Sequence, residues 1–117
     1  MQKMNLLGLS TWVFLFAVPA SADELDINKI YSPWCYTEME YKDGDRSKEK
    51  ATYTFFKDNT LHFKDFIWDT TSSYEIQGTK IKTEKWGNYN IQAISDEKMV
   101  LTVSNGAIMY LNKGKCS

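Results

Sequence analysis

The chain has 117 residues, of which 14 are Lys or Arg and 15 are Asp or Glu, so its formal net charge is −1 at pH 7. This balance argues against a nucleic-acid partner, because phosphate backbones are bound by an excess of basic side chains on one face. Aromatic residues, at 15% of the sequence, are its most unusual feature.

The first 22 residues, MQKMNLLGLSTWVFLFAVPASA, have the layout of a secretory signal peptide. One cation precedes an apolar run from Leu6 to Val18, and small residues end the segment. A helix of about thirteen residues is roughly 20 Å long, which is shorter than the roughly 30 Å hydrocarbon core of a bilayer. We expect cleavage after Ala22, which leaves one periplasmic or secreted domain over residues 23–117 with no membrane span. An uncleaved anchor is the alternative.

The rest of the chain alternates apolar and polar residues between frequent turn signals, which is typical of an antiparallel all-β domain. A short helical turn or an extended arm is expected over residues 23–31. Eight strands are predicted, at 34–41, 50–57, 60–66, 72–77, 79–84, 88–94, 98–104 and 107–113. Asn105-Gly106 is the strongest turn signal, since both central residues of a type I′ turn need positive φ. The connection over 67–71, which has neither Gly nor Pro, is the weakest.

The short connections require consecutive strands to pair as neighbours, so the sequence predicts a small up-and-down meander. A meander of eight twisted strands buries one face by closing into a barrel, in which the last strand lies antiparallel to the first. The two cysteines, Cys35 and Cys116, fall at the places that this closure brings together. We expect one disulfide that latches the barrel seam, as is usual in exported proteins. A redox role is less favoured, because the sequence has no C-x-x-C motif.

The alternation within each strand predicts which side chains face the barrel interior. The inward set is Tyr53, Phe55, Leu61, Phe63, Tyr74, Ile76, Ile81, Tyr89, Ile91, Ala93, Met99, Leu101, Val103, Ile108 and Tyr110. The last strand is ambiguous, because Met109 and Leu111 form an equally apolar face opposite Ile108 and Tyr110.

Six segments follow one another along the chain. They are W-x-Y (34–36), YTFFKDNTLHF (53–63), SYEIQGTKI (73–81), GNYNIQAIS (87–95), KMVLTV (98–103) and MYL (109–111). In this order they resemble the small bacterial lipocalin-like domains, over Trp34 to Lys113. Those domains repeat the theme of a short strand, a Gly or Asn turn, and a strand of alternating aromatics. Trp34 matches the Trp of the lipocalin G-x-W motif, whereas Ser32 replaces its Gly. The resemblance implies a cup-shaped barrel that holds a small apolar molecule.

The residues that carry catalysis or bind metals do not converge in this sequence. His62 is the only histidine and is expected on the outer surface, and with both cysteines oxidised no thiolate remains as a nucleophile or ligand. The acids Asp43, Asp45 and Glu49 do not have the spacing of an EF-hand loop, so a charged hairpin turn explains them better. We expect no enzymatic activity, no cofactor and no metal site.

The connection KDFIWD places Phe66, Ile67 and Trp68 in succession between two strands. Such a loop is either a lid over the barrel mouth or a contact for a protein partner. Two functions correspond to these alternatives. The first is an exported non-catalytic binding module for a small apolar ligand in the barrel mouth, and the second is a periplasmic inhibitor or immunity-type protein that neutralises an envelope enzyme.

The barrel interior distinguishes these two functions. A cavity of about 300 Å³ or more lined by aromatic residues favours the small ligand, and a filled barrel with an exposed aromatic loop favours the protein partner. The residues expected around such a cavity are Tyr53, Phe63, Tyr89 and Tyr110.

Overall fold

The computed structural model describes residues 25–117, and the predicted signal peptide lies outside the described residues. A 3₁₀ helix at Ile27–Ile30 precedes eight strands. The strands are β1 (Pro33–Glu40), β2 (Arg46–Phe55), β3 (Thr60–Lys64), β4 (Asp69–Gln77), β5 (Lys80–Thr83), β6 (Gly87–Ile94), β7 (Lys98–Val103) and β8 (Ile108–Lys113). All eight strands predicted from the sequence are present.

The strands pair antiparallel in chain order, and β8 pairs with β1 to close the barrel. The closing ladder runs from Trp34 opposite Lys113 to Glu40 opposite Ile108. The predicted up-and-down barrel is therefore confirmed. Every one of these strands has two neighbours, but residues 46–51 of β2 pair with β1 alone, because the ladder to β3 begins at Thr52.

The buried side chains form one core cluster inside the barrel. Trp34 is completely buried, and its Nε1 donates a hydrogen bond of 3.0 Å to the carbonyl of Ile30. Ile30 is also completely buried, so the 3₁₀ helix closes the barrel at the end where β1 begins. The predicted inward residues that are buried are Phe55, Leu61, Tyr74, Ile81, Tyr89, Ile91, Met99 and Leu101. Those that pack half-buried against the core are Tyr53, Phe63, Ile76 and Val103.

The inward position predicted for Ala93 is wrong. The pairing of β6 with β7 shifts by one residue between Ile91 and Ala93. Such a bulge reverses the alternation of faces beyond it. Ala93 is therefore exposed, and Ile94 packs against the core in its place.

The inward face predicted for β8 is also wrong. Met109 and Leu111 are buried, whereas Ile108 and Tyr110 are only partly covered. Both faces of β8 are apolar, so the partner strand decides between them. Leu111 stands opposite the buried Tyr36 of β1.

Three hairpin loops share one backbone geometry. In each, the residue before a three-residue loop donates its N–H to the carbonyl of the residue after it, over 2.8–2.9 Å. The second loop residue is Asp or Asn, and its Oδ1 accepts the backbone N–H of the residue after the loop. The third loop residue has positive φ. The loops are Lys42–Gly44, Lys57–Asn59 and Ser104–Gly106. This is a type I turn followed by a bulge.

The type I′ turn predicted at Asn105-Gly106 is therefore wrong in type, although the hairpin itself is confirmed. Gly106 has φ of +90°, but Asn105 does not have positive φ. Asn59 is the one non-glycine residue with positive φ among residues 25–117. Asn105 instead uses its side chain to accept the N–H of Ala107 over 2.9 Å.

The predicted disulfide is confirmed, because Cys35 and Cys116 are bonded. The disulfide does not simply join the paired edges of β1 and β8. The hydrogen-bonded ladder of β1 and β8 closes the seam, and residues 114–117 then turn back over the outer face of the barrel. The backbone N–H of Cys116 donates to Oγ1 of Thr52 on β2 over 3.0 Å. The disulfide thus holds this segment across β1.

We expect Gly106→Val to lower the free energy of unfolding by about 1 kcal/mol or more, because a β-branched residue is strained at positive φ. The matched control is Gly106→Asn, since Asn59 already occupies the same loop position with φ of +69°. Chemical denaturation measures both variants. Equal midpoints for the Val and Asn variants would contradict this account of the loop.

Removal of the disulfide by Cys35→Ser with Cys116→Ser should destabilise the protein without changing its barrel topology. The bond spans 81 residues, for which loop-closure entropy gives up to about 4.5 kcal/mol. Denaturation of oxidised wild type and of the double variant measures the difference. Circular dichroism that shows loss of the β signal in native buffer would contradict closure by the β1–β8 ladder.

Candidate functional site

Aromatic rings occupy the barrel interior at the mouth where a small ligand was expected. The ring centroids of Tyr53 and Phe63 lie 5.2 Å apart, those of Tyr36 and Tyr53 lie 6.1 Å apart, and those of Phe63 and Trp86 lie 5.9 Å apart. Edge contacts at these distances are the preferred packing of aromatic side chains. The rings therefore contact one another in the space that a ligand would occupy.

The phenols of Tyr36, Tyr53 and Tyr89 are largely removed from solvent. Burial raises the pKa of Tyr53 well above its usual range. Burial likewise raises the pKa of Tyr36 and of Tyr89. Three of the four residues predicted around the mouth, Tyr53, Phe63 and Tyr89, are thus brought together as packed core.

Tyr110, the fourth predicted mouth residue, lies on the outer surface. Its hydroxyl donates to Oε1 of Glu40 over 2.8 Å, and this hydrogen bond is the main reason that the pKa of Tyr110 is raised. The guanidinium of Arg46 lies 5.4 Å from the centre of the Tyr110 ring and pairs with Glu38. Tyr110 therefore belongs to a polar surface cluster that is separate from the interior.

The loop between β3 and β4 presents three apolar side chains to solvent, and we call Phe66, Ile67 and Trp68 the apolar tip. Their exposed fractions are 95%, 67% and 64%. A ring exposed to this extent does not plug the barrel, so the lid interpretation of Trp68 is wrong in this structure.

Asp65 fixes the shape of this loop. Its Oδ1 accepts the backbone N–H of Ile67 over 2.8 Å and that of Trp68 over 2.6 Å. The N–H of Asp65 donates in turn to the carbonyl of Trp68 over 2.9 Å. The apolar tip is thus a defined turn that holds its side chains away from the core.

A groove of 870 Å³ lies on the outside of the barrel beside the apolar tip. We call it the outer groove. Its floor is the outer face of β2 and β3, where Thr52 stands opposite Lys64 and Thr54 opposite His62. The residues that line the floor and walls are Tyr31, Ser32, Pro33, Lys50, Thr52, Thr54, Phe55, Phe56, His62, Lys64, Asp65, Phe66, Lys115, Cys116 and Ser117.

The outer groove is positively charged although the whole chain is slightly acidic. Lys50, Lys64 and Lys115 line it. The nearby carboxylates already have partners, because Asp65 binds two backbone N–H groups and Asp69 binds Nε2 of His62. The hydrogen bond from His62 lowers the pKa of Asp69. Asp65 keeps its negative charge while it binds these amides, so the lining side chains carry three lysine ammonium groups against one carboxylate.

Sequence reasoning missed the outer groove. His62 does lie on the outer side, as expected, but nothing in its neighbourhood marks a groove. One wall is formed by residues 115–117, which are held over β1 and against β2 by the disulfide and by the hydrogen bond from Cys116 to Thr52. The lysines at positions 50 and 64 follow the ordinary pattern of exposed strand faces, so they carry no special signal.

No group of three or more His, Cys, Asp or Glu side chains within residues 25–117 is arranged to hold a metal ion. Asp43 instead accepts the N–H of Asp45 within its hairpin loop. Within the same residues, no helix is both long enough and apolar enough to cross a membrane.

Comparison with known proteins identifies the fold. No protein-family model matches this sequence, and neither does any curated protein. A lipocalin-like protein from Bacteroides uniformis superposes with a TM-score of 0.62 at 16% identity, covering 74% of this chain and 99% of that one. An uncharacterized protein from Bacteroides eggerthii gives 0.61 at 16% identity, covering 71% and 98%. A protein from Burkholderia xenovorans gives 0.58 at 12% identity, covering 80% and 86%. The chain is thus a small bacterial lipocalin-like domain in fold, as the sequence predicted.

We expect Asp65→Ala to loosen the apolar tip, because the amides of Ile67 and Trp68 lose their shared carboxylate acceptor. Hydrogen bonds to a charged group contribute about 1.5–3 kcal/mol, so exchange of these two amides with deuterium should accelerate roughly tenfold or more. Asp65→Asn is the control, since it keeps an acceptor oxygen. Unchanged exchange in Asp65→Ala would show that the backbone alone fixes the turn.

Proposed function

We propose that the chain is an exported, non-catalytic binding module that contacts a protein of the cell envelope through the apolar tip. The observation that carries this proposal is the exposure of three successive large apolar side chains, 64–95%, in a turn held by Asp65. Exposed apolar clusters on soluble domains commonly mark interaction sites. Trp is also among the residues most enriched at the energetic centres of protein interfaces.

The alternative function is the binding of a small apolar ligand in the barrel mouth, which the lipocalin-like fold suggests. A ligand there must displace aromatic rings that already contact one another at 5.2–6.1 Å. The filled interior therefore favours the protein partner. An inhibitor or immunity-type role suits such a module, because a small closed barrel presents a rigid loop whose ordering cost is largely met before binding.

Export is part of this proposal. The Cys35–Cys116 disulfide is compatible with an oxidising, extracytoplasmic compartment. A signal peptide over residues 1–22 and a periplasmic or secreted location would account for it. N-terminal sequencing of the protein recovered from the envelope fraction tests this, with Asp23 as the expected first residue.

Trp68→Ala should leave the fold almost unchanged and weaken partner binding by about 2–4 kcal/mol, as loss of a central aromatic anchor does. The matched control is Tyr41→Ala, which removes an aromatic ring that is 39% exposed in a different hairpin. Native mass spectrometry of protein recovered from its own compartment measures the complex.

A second polypeptide that is retained by wild type and Tyr41→Ala but lost from Trp68→Ala supports the proposal. A bound mass of a few hundred daltons in all three proteins would instead support the small ligand. A second polypeptide that all three retain equally would place the interface away from the apolar tip.

A further inference from the structure

The closed barrel restricts how a partner segment can bind. A peptide that adds as a strand needs an unpaired sheet edge, and residues 46–51 of β2 have no partner on the side of β3. From Thr52 to Phe55 both edges of β2 are paired, so a partner that lies over this part is held by side chains on the outer surface. The outer groove begins directly beside the tip, since Asp65 and Phe66 line it.

The outer groove has apolar side chains at both ends, and Lys50 and Lys64 lie towards the end that carries Phe66. Tyr31 and Phe56 lie at the end where β2 finishes, and Phe66 lies at the end where β3 finishes. The distance along the floor from Lys50 to Phe56 is six residues, or roughly 20 Å of extended strand. A segment of about six extended residues matches this length.

The charges of the groove select the charge of that segment. Lys50 and Lys64 are exposed on its floor and Lys115 on its wall. The carboxylates at its margin are engaged by His62 or by backbone N–H groups. Opposite charges across an interface raise the association rate and reject partners of the wrong sign.

We infer that the outer groove binds an acidic, extended peptide segment of the partner, whose apolar side chains contact Phe56 at one end and the apolar tip at the other. This inference rests on the proposed function, and it adds the chemistry of the partner. The lysines pair with Asp or Glu side chains of the segment, and the aromatic ends fix its register.

An anionic membrane is a poorer occupant than a peptide. A bilayer surface cannot enter a concave groove that is bounded by residues 115–117 on one side. Asp65 and Asp69 stand immediately before and after the apolar tip, so insertion of the tip would bring both carboxylates towards anionic headgroups. Such like-charge contact is unfavourable.

Selection from a random-peptide phage library on the protein, produced from its complete sequence, tests the inference. We expect enriched peptides that combine Asp or Glu residues with an apolar residue near each end. An enriched peptide is then synthesised, and its affinity is measured for wild type and for two double variants. Lys50→Glu with Lys64→Glu should weaken binding about tenfold or more, because both contacts become repulsive.

The control double variant is Lys80→Glu with Lys85→Glu, which makes the same change in net charge at exposed residues outside the groove. It should bind within about twofold of wild type, and binding to wild type should weaken as salt rises. Three results would each overturn the inference. The first is enrichment of neutral or basic peptides, and the second is equal affinity in both double variants. The third is binding to phosphatidylglycerol vesicles with no peptide enriched.

Retention of the native partner by the variants distinguishes this inference from the proposed function. If the complex with the native partner is lost in Trp68→Ala but survives Lys50→Glu with Lys64→Glu, the tip is an interface and the acidic-segment inference is wrong. If it survives both, both proposals are wrong. Loss in both variants, with retention in the control, is the expected result.

Discussion

The hydrogen-bonded ladder between β1 and β8 is the constraint on which the rest of this structure depends. It converts an open meander into a closed wall, so that one face of every strand becomes interior. It brings Cys35 beside the segment that carries Cys116, and it pairs the outer edges of the first and last strands with each other. Most of the surface left for recognition then comes from loops and from the outer faces of the strands.

Closure also decides what the interior can contain. Eight strands of four to ten residues enclose a narrow space, and the chain supplies it with large rings such as Trp34, Tyr36, Tyr53 and Phe63. Ring edges meet ring faces there, and the hydroxyl of the buried Tyr74 donates to the carbonyl of Phe56 over 2.6 Å. The lipocalin-like architecture is thus used here with a packed centre, and the chemically distinctive features lie outside.

Strand number, order and closure were predictable from sequence because alternation and turn chemistry act locally. The failures have equally definite causes. A bulge after Ile91 reverses the faces without any marker residue, and β8 offers two apolar faces between which only its pairing with β1 decides. The pairing of Cys116 with Cys35 was predicted correctly. The contact of Cys116 with Thr52, however, is tertiary and leaves no periodic pattern in the sequence. The candidate site depends on that path, and so it was found only in three dimensions.

The disulfide has a consequence for when the outer groove exists. Residues 115–117 form one of its walls and are tied to the barrel by Cys116, through its bond to Cys35 and its N–H contact with Thr52. In a reducing cytoplasm the covalent tie is absent, and a short segment at the end of a strand frays readily. A newly made chain would acquire a complete groove only after oxidation. Maturation of the recognition surface would then be timed by the same step that stabilises the fold.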